Sequence, residues 1–209
     1  MTDNRLRTAP DQHTSRLILI RHGQTLANEQ HLIQGASDGP LTPAGRAEVE
    51  RLGAGFAAHH VSRVISSDLQ RARDTAEAVA RYHNLTVEVT PLAREWDCGE
   101  WDGIPASEFL RFIKETGQPV SALYPPGGET LSQVRQRADQ LLRSLAADGP
   151  GKTVVICSHG DIMRMMLSCL LGLDMDLAQA FRFDNASYSI LEHDGQGWKV
   201  FAINRVVPS

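Results

Sequence analysis

Four apolar residues in succession, Leu17-Ile18-Leu19-Ile20, break off abruptly into Arg21-His22-Gly23-Gln24-Thr25. An unbroken run of that kind reads as a strand buried on both faces, with a functional loop at its carboxyl end. The same grammar recurs far down the chain, where Val154-Val155-Ile156-Cys157 leads into Ser158-His159-Gly160-Asp161. Ligands of open α/β sheets bind in the crevice outside the carboxyl ends of the strands, so two strands of one sheet would bring His22 and His159 together.

The pattern between these runs predicts the remaining elements. Gly23 to Gly39, rich in Gln, Asn, His and Gly, is too polar for core and too long for a turn, which predicts a binding loop. Thr42-Pro43 supplies a cap and a first-turn proline to a helix expected to run to about His59, with Ala47, Leu52 and Phe56 near one face. Val61 to Ser66 reads as a second strand. Ser67-Asp68-Leu69 should open another helix, with Ala72, Ala76, Val79 and Ala80 on its apolar side and Arg71 in its first turn. Thr86 to Val89 alternates like a short strand.

Leu92 to Gly103 mixes acids with Trp96, Trp101 and two glycines, and is expected to form a wall of the site. A short helix carrying Phe109, Phe112 and Ile113 then precedes Pro125-Pro126-Gly127-Gly128, which cannot be helical. The whole segment 104–128 is the candidate lid. Thr130 with Gln133 matches a capping box for a long amphipathic helix bearing Leu131, Val134, Ala138, Leu141, Leu142 and Leu145, ended by Gly149-Pro150-Gly151. Ile162 to Leu171 reads as a mostly buried helix, with Asp161 as its expected N-cap and Gly172 as its stop. Tyr188 to Leu191 and Trp198 to Ile203 flank the turn Asp194-Gly195-Gln196-Gly197 as a closing hairpin.

This order predicts a three-layer α/β/α architecture with a mainly parallel central sheet, an antiparallel edge and a lid insertion. Residues 1–15, polar and without periodicity, are expected to be a flexible tail, and 16–207 a single domain.

Composition narrows the function classes. The 209 residues are 42% hydrophobic and 22% charged, as in an ordinary globular protein, and the formal net charge of −4 argues against non-specific nucleic-acid binding and an anionic membrane surface. No apolar run approaches the ~20 residues of a membrane helix and the amino terminus lacks a secretory core, so a cytoplasmic location is expected. Cys98, Cys157 and Cys169 show no metal-ligand spacing and read as small buried hydrophobes in a reducing compartment. There is no dinucleotide fingerprint and no Walker-type loop, and His22, His59, His60, His83 and His159 lack zinc-site spacing. Neither a cofactor nor a metal is expected.

Taken together, several motifs resemble the histidine phosphatase superfamily, also called phosphoglycerate mutase-like. They are Leu-Ile-Arg-His-Gly-Gln-Thr with Asn28, Ser66-Ser67-Asp68-Leu69-Gln70-Arg71-Ala72, Glu95 before Gly99-Glu100-Trp101-Asp102-Gly103, and Ser158-His159-Gly160. The resemblance covers about residues 17 to 207. It departs from the common pattern in having Ala27 before the asparagine, where tryptophan is frequent, and Gln24 for glutamate.

The resemblance implies that His22 is a nucleophile that becomes phosphorylated. Neutral imidazole can attack phosphorus without a strong base, provided that a partner such as the carbonyl near Gly23 fixes the tautomer. It implies Arg21, Arg71 and His159 as the cations and donor around the phosphoryl oxygens, and Asn28, Gln34, Gly160 and Thr25 as substrate-binding residues. Glu95 fits the family's general acid, with a pKa raised by burial against Trp96 or Trp101. Asp97, Glu100 and Asp102 are fallback candidates.

The segment 104–128 offers only Arg111 and Lys114, balanced by Glu108 and Glu115, which does not favour a doubly phosphorylated ligand. Pro126-Gly127-Gly128-Glu129-Thr130 is similar to a stretch in the family's small-molecule phosphatases. The expected activity is therefore a cofactor-independent phosphomonoesterase of the phosphatase branch acting on a small phosphate ester, with no nucleic-acid or membrane partner and a homodimer left open. Mutase-type phosphoryl transfer and a non-catalytic phosphate-ester-binding module are the alternatives.

Overall fold

The structure, a computed structural model, describes residues 8–145 and 149–208. The first seven residues of the expected tail, Met1 to Arg7, lie outside these residues, as does the chain just before the expected helix stop at Gly149. Six strands, β1 (Ser15–Arg21), β2 (Arg63–Ser67), β3 (Val87–Thr90), β4 (Thr153–Ser158), β5 (Tyr188–His193) and β6 (Trp198–Arg205), form a sheet in the order β3-β2-β4-β1-β5-β6. β3, β2, β4 and β1 are parallel, β5 is antiparallel to β1, and β6 is antiparallel to β5. The mainly parallel sheet with an antiparallel edge is as expected.

Helices α1 (Leu26–Glu29), α2 (Pro43–Phe56), α3 (Gln70–Ala80), α4 (Ala106–Thr116), α5 (Leu131–Leu145), α6 (Gly160–Leu171) and α7 (Met175–Ala178) connect the strands. The apolar runs of β1 and β4 are continuous because both faces are covered. Leu17, Leu19, Val154 and Ile156 pack with Leu131, Val134, Ile162 and Met163 of α5 and α6. Ile18, Ile20, Val155 and Cys157 pack with Val49, Leu52, Phe56 and Val79 of α2 and α3. Alternating side chains thus serve two cores.

Local signals account for several helix ends. Thr42 accepts from Gly45 N–H with Pro43 in the first turn. Thr130 and Gln133 form the reciprocal capping box. Gly172, at φ 65°, closes α6 in the left-handed conformation. α2 stops at Phe56 rather than near His59, because Ala57 and His59 N–H turn back onto Ala54 and Phe56 carbonyls. α3 begins at Gln70, since Ser67 Oγ takes Leu69 N–H and holds that stretch as a turn. The Gly23–Gly39 loop contains the short helix α1, capped by Thr25 and Asn28.

One expectation is overturned. Asp161 is not the N-cap of α6 but lies inside its first turn, with His159 at the cap position and no side-chain cap of its own. A carboxylate from a distant segment, Glu95, takes the orphan N–H groups instead.

Candidate active site

β1 and β4 are adjacent and in register, with Arg21 opposite Ser158, so both runs end at one level. His22 N–H donates to Ser158 O at 3.0 Å, which ties the two strand exits together. The rings of His22 and His159 lie 5.0 Å apart between centroids, tilted by 56°. Both side chains are buried. Gly23 is needed beside them: a Cβ there would lie 2.6 Å from Val49 Cγ1 of α2.

The two imidazoles have different partners, and the partners decide the tautomers. His22 Nδ1 is 2.8 Å from Gly23 O, and a carbonyl can only accept, so Nδ1 carries hydrogen and Nε2 keeps its lone pair. His159 Nδ1 lies 3.2 Å from Arg71 Nε, which can only donate, so Nδ1 accepts and hydrogen sits on Nε2. That Nε2 is buried without a partner among the described residues. Burial, reinforced by Arg71, holds both imidazoles well below the usual histidine range and hence neutral.

Arg71 is fully buried, and burial brings its pKa down to about 10. Besides His159, its guanidinium donates to Ser37 O at 2.7 Å and Gly35 O at 2.8 Å, so three of its nitrogens hold protein acceptors. It clamps the binding loop while facing the second imidazole. Arg21 donates through Nη1 to Phe183 O at 2.7 Å, and its buried Nε has no partner among the described residues.

Glu95 is 8% exposed. Its Oε1 accepts from Trp96, Asp161 and Ile162 N–H at 3.0, 3.0 and 3.2 Å, while Oε2 receives only a longer contact from Asp161 N–H at 3.3 Å. Burial, followed by the Asp161 charge, raises its pKa against the opposing pull of those N–H groups. Of the fallback acids, Asp102 is spent on Gly35 and Ser37, Asp97 accepts from Gly99 N–H, and Glu100 is exposed.

Thr25 and Asn28 cap α1 reciprocally, and Thr25 Oγ1 donates to Gln34 Oε1 at 2.7 Å. Gly160 begins α6 beside the acid: a Cβ there would lie 3.6 Å from Glu95 Oε2. The strand ends thus gather two neutral imidazoles with hydrogens on opposite nitrogens, the guanidinium groups of Arg21 and Arg71, and the buried carboxyl group of Glu95. Such a site suits a tetrahedral anion approached by a nucleophile.

A sequence profile of the Histidine phosphatase superfamily (branch 1) matches residues 17–206. The chain belongs to that superfamily. Among curated relatives, a probable phosphoglycerate mutase, GpmB, of Erwinia tasmaniensis is 32% identical over 186 residues, with 86% of each chain covered. Among solved structures, mycobacterial hydrolase 1 superposes with a TM-score of 0.84 at 28% identity, covering 92% of this chain and 99% of the other. A mycobacterial glucosyl-3-phosphoglycerate phosphatase complexed with VO3 has a TM-score of 0.82 at 28% identity, over 90% and 98% of the two chains.

Three residues that hold this candidate site in place carry no sequence signal. Arg137 of α5 donates to Glu95 O at 3.1 Å and to Glu129, pinning the segment that bears Glu95. Arg164 of α6 pairs with Asp161 at 2.9 Å and donates to Phe181 O. Asn185 donates to His22 O and Asn28 Oδ1. Arginines on amphipathic helices ordinarily read as solvated, and the segment around Asn185 has no period.

No cluster of three or more potential metal ligands occurs among the described residues. Among the described residues, no helix is long and apolar enough to cross a membrane. A cavity of about 560 Å³ lies elsewhere, lined by Ser15, Arg16 and Lys152 at the amino ends of β1 and β4.

Proposed function

We propose that residues 16–207 form one catalytic domain that hydrolyses small phosphate monoesters through a phosphohistidine on His22, without metal or cofactor. One observation carries this reading: the partners of the two imidazoles leave a lone pair on His22 Nε2 and a hydrogen on His159 Nε2. One ring is set to attack and the other to donate.

In the first step His22 Nε2 attacks phosphorus and the bond to the ester oxygen breaks. Positive charge that develops on the imidazole is shared with Nδ1–H, whose acceptor, Gly23 O, is already in place. His159 Nε2–H, Arg21 and Arg71 receive the charge on the equatorial oxygens, where preorganised donors act most strongly. Glu95, whose carboxyl group burial pushes toward the protonated form, gives its proton to the departing alkoxide. The hydrogen bonds on Oε1 make Oε2 the oxygen that carries this proton.

In the second step water attacks phosphorus, Glu95 takes the water's proton and the P–N bond breaks, returning the electron pair to Nε2. Asn28, Thr25, Gln34 and Gly160 line the phosphate side of the site in this reading.

Segment 104–128 acts as the lid. α4 buries none of its residues, Phe112 and Tyr124 are 40% and 61% exposed, and Trp96, Trp101, Phe109 and Phe112 form a chain of ring contacts 5.5 to 6.4 Å long. That surface favours an ester with an apolar body. The lid's cations are exposed, and Arg111 approaches Glu115, which disfavours retention of a bisphosphate and places the mutase reading second. The unpaired cysteines agree with a cytoplasmic setting.

Hydrolysis of p-nitrophenyl phosphate that resists EDTA, with a label on His22 after alkaline quench, is the expected outcome. Bisphosphate-dependent interconversion of phosphoglycerates exceeding hydrolysis would establish the mutase. Thermal stabilisation by phosphate esters without turnover would mark a binding module.

A further inference from the structure

The connector from α7 to β5 holds the site at alternate residues. Phe181 O takes Arg164, Phe183 O takes Arg21, and Asn185 reaches the nucleophile's own backbone. Asn185 Nδ2 lies 3.1 Å from His22 O and 2.9 Å from Asn28 Oδ1. The next residue, Ala186, sits at φ 51°, a left-handed conformation uncommon for alanine, and donates its N–H to the same His22 O.

These contacts force the orientation of both amides. His22 O can only accept, so the atom of Asn185 beside it must be the NH₂ group. Thr25 N–H can only donate, so the atom of Asn28 at 3.2 Å from it must be the carbonyl oxygen. Asn185 then spends both hydrogens, one on His22 O and one on Asn28 Oδ1. Asn28 Oδ1 holds two donors, and its Nδ2 has no acceptor among the described residues.

We propose that Asn185 is a positioning residue that locks the Asn28 amide with its NH₂ end free for a phosphoryl oxygen, and ties that amide to the backbone of His22. This rests on the phosphoryl-transfer reading above. Without Asn185, the Asn28 carbonyl would lose the stronger of its two donors. The amide could then turn a lone pair toward the anion.

The test is a double-mutant cycle read by competitive inhibition with orthovanadate, a mimic of the phosphoryl group in transfer. Asn28→Ala and Asn185→Ala are each expected to raise the vanadate inhibition constant about tenfold, and the double variant no further than Asn28→Ala alone. A purely structural Asn185 would give effects that multiply, which overturns the proposal. Asn185→Ser, able to donate one hydrogen bond, replaces Asn185→Ala if the latter unfolds, and should recover part of the affinity.

If Asn28→Ala leaves vanadate inhibition unchanged while His22 is still labelled, the positioning role falls and the phosphatase reading stands. If the unaltered enzyme neither binds vanadate nor labels His22, both fall.

Discussion

The ends of β1 and β4 look alike in sequence and behave as opposites in structure. Each is an apolar strand that delivers a buried histidine followed by glycine. One imidazole lies against the carbonyl of the next residue, the other against the guanidinium of Arg71, contributed by a separate helix. A carbonyl withdraws Nδ1–H and exposes a lone pair, whereas a guanidinium occupies the lone pair and exposes a hydrogen. In the proposed mechanism the chemical role of each ring is therefore set by its neighbour, and only one neighbour is local in sequence.

The sharpest way to break this contrast is to delete the rings one at a time. His22→Ala should lower kcat for p-nitrophenyl phosphate by at least about 10⁴-fold and abolish the phosphoenzyme. His159→Ala should cost only about 10²–10³-fold, the scale of a lost oxyanion donor, and should still label on His22. Equal losses, measured by steady-state kinetics, would remove the distinction.

Glu95→Gln separates the acid from both rings. On alkyl phosphates the loss should reach about 10²–10³-fold, but only a few-fold on p-nitrophenyl phosphate, whose leaving group needs little help. In the unaltered enzyme kcat/KM should fall on the acid side as His22 protonates, below the usual 6.5, and on the alkaline side as Glu95 ionises, above the usual 4.5. Glu95→Gln should remove the alkaline limb alone.

Arg71→Lys probes the distant neighbour. An ammonium group cannot reproduce a planar fork that holds His159, Gly35 and Ser37 together, so a loss of about 10–10²-fold in kcat is expected.

What the chain discloses follows the same division. The alternation of β1 between two cores, the Thr42-Pro43 start, the Thr130–Gln133 box and the Gly172 stop depend on neighbours in sequence, and all were legible. The pairing of His22 with His159 was legible because sheet topology is regular enough to align strand ends. The capping of α6 was not, since Glu95 stands 66 residues from Asp161 and the nearer carboxylate looked the better cap. Arg137, Arg164 and Asn185 were missed for a related reason: periodicity reports which face is apolar and says nothing about which polar side chain a remote carbonyl recruits.

The smallest effect expected is on stability. His22 and His159 have folded-state pKa values well below 6.5, so between those values and about 6.5 the unfolded chain binds more protons. Their contribution is complete above about pH 7 and is lost as the pH falls through 6.5. Glu95, raised when folded, acts in the opposite sense: its contribution is present below about 4.5 and lost as the pH rises through its folded value. Thermal melts of the ligand-free protein should therefore drop between pH 7 and 5.5, less so in His159→Gln.

Nitrogen-15 NMR of the two active-site imidazoles in the resting protein at pH 7 bears most directly on the contrast between the strand ends. Opposite tautomers are expected, with hydrogen on Nδ1 of His22 and on Nε2 of His159. The same tautomer on both rings, or a charged imidazolium at either, would contradict the assignment of attacker and donor.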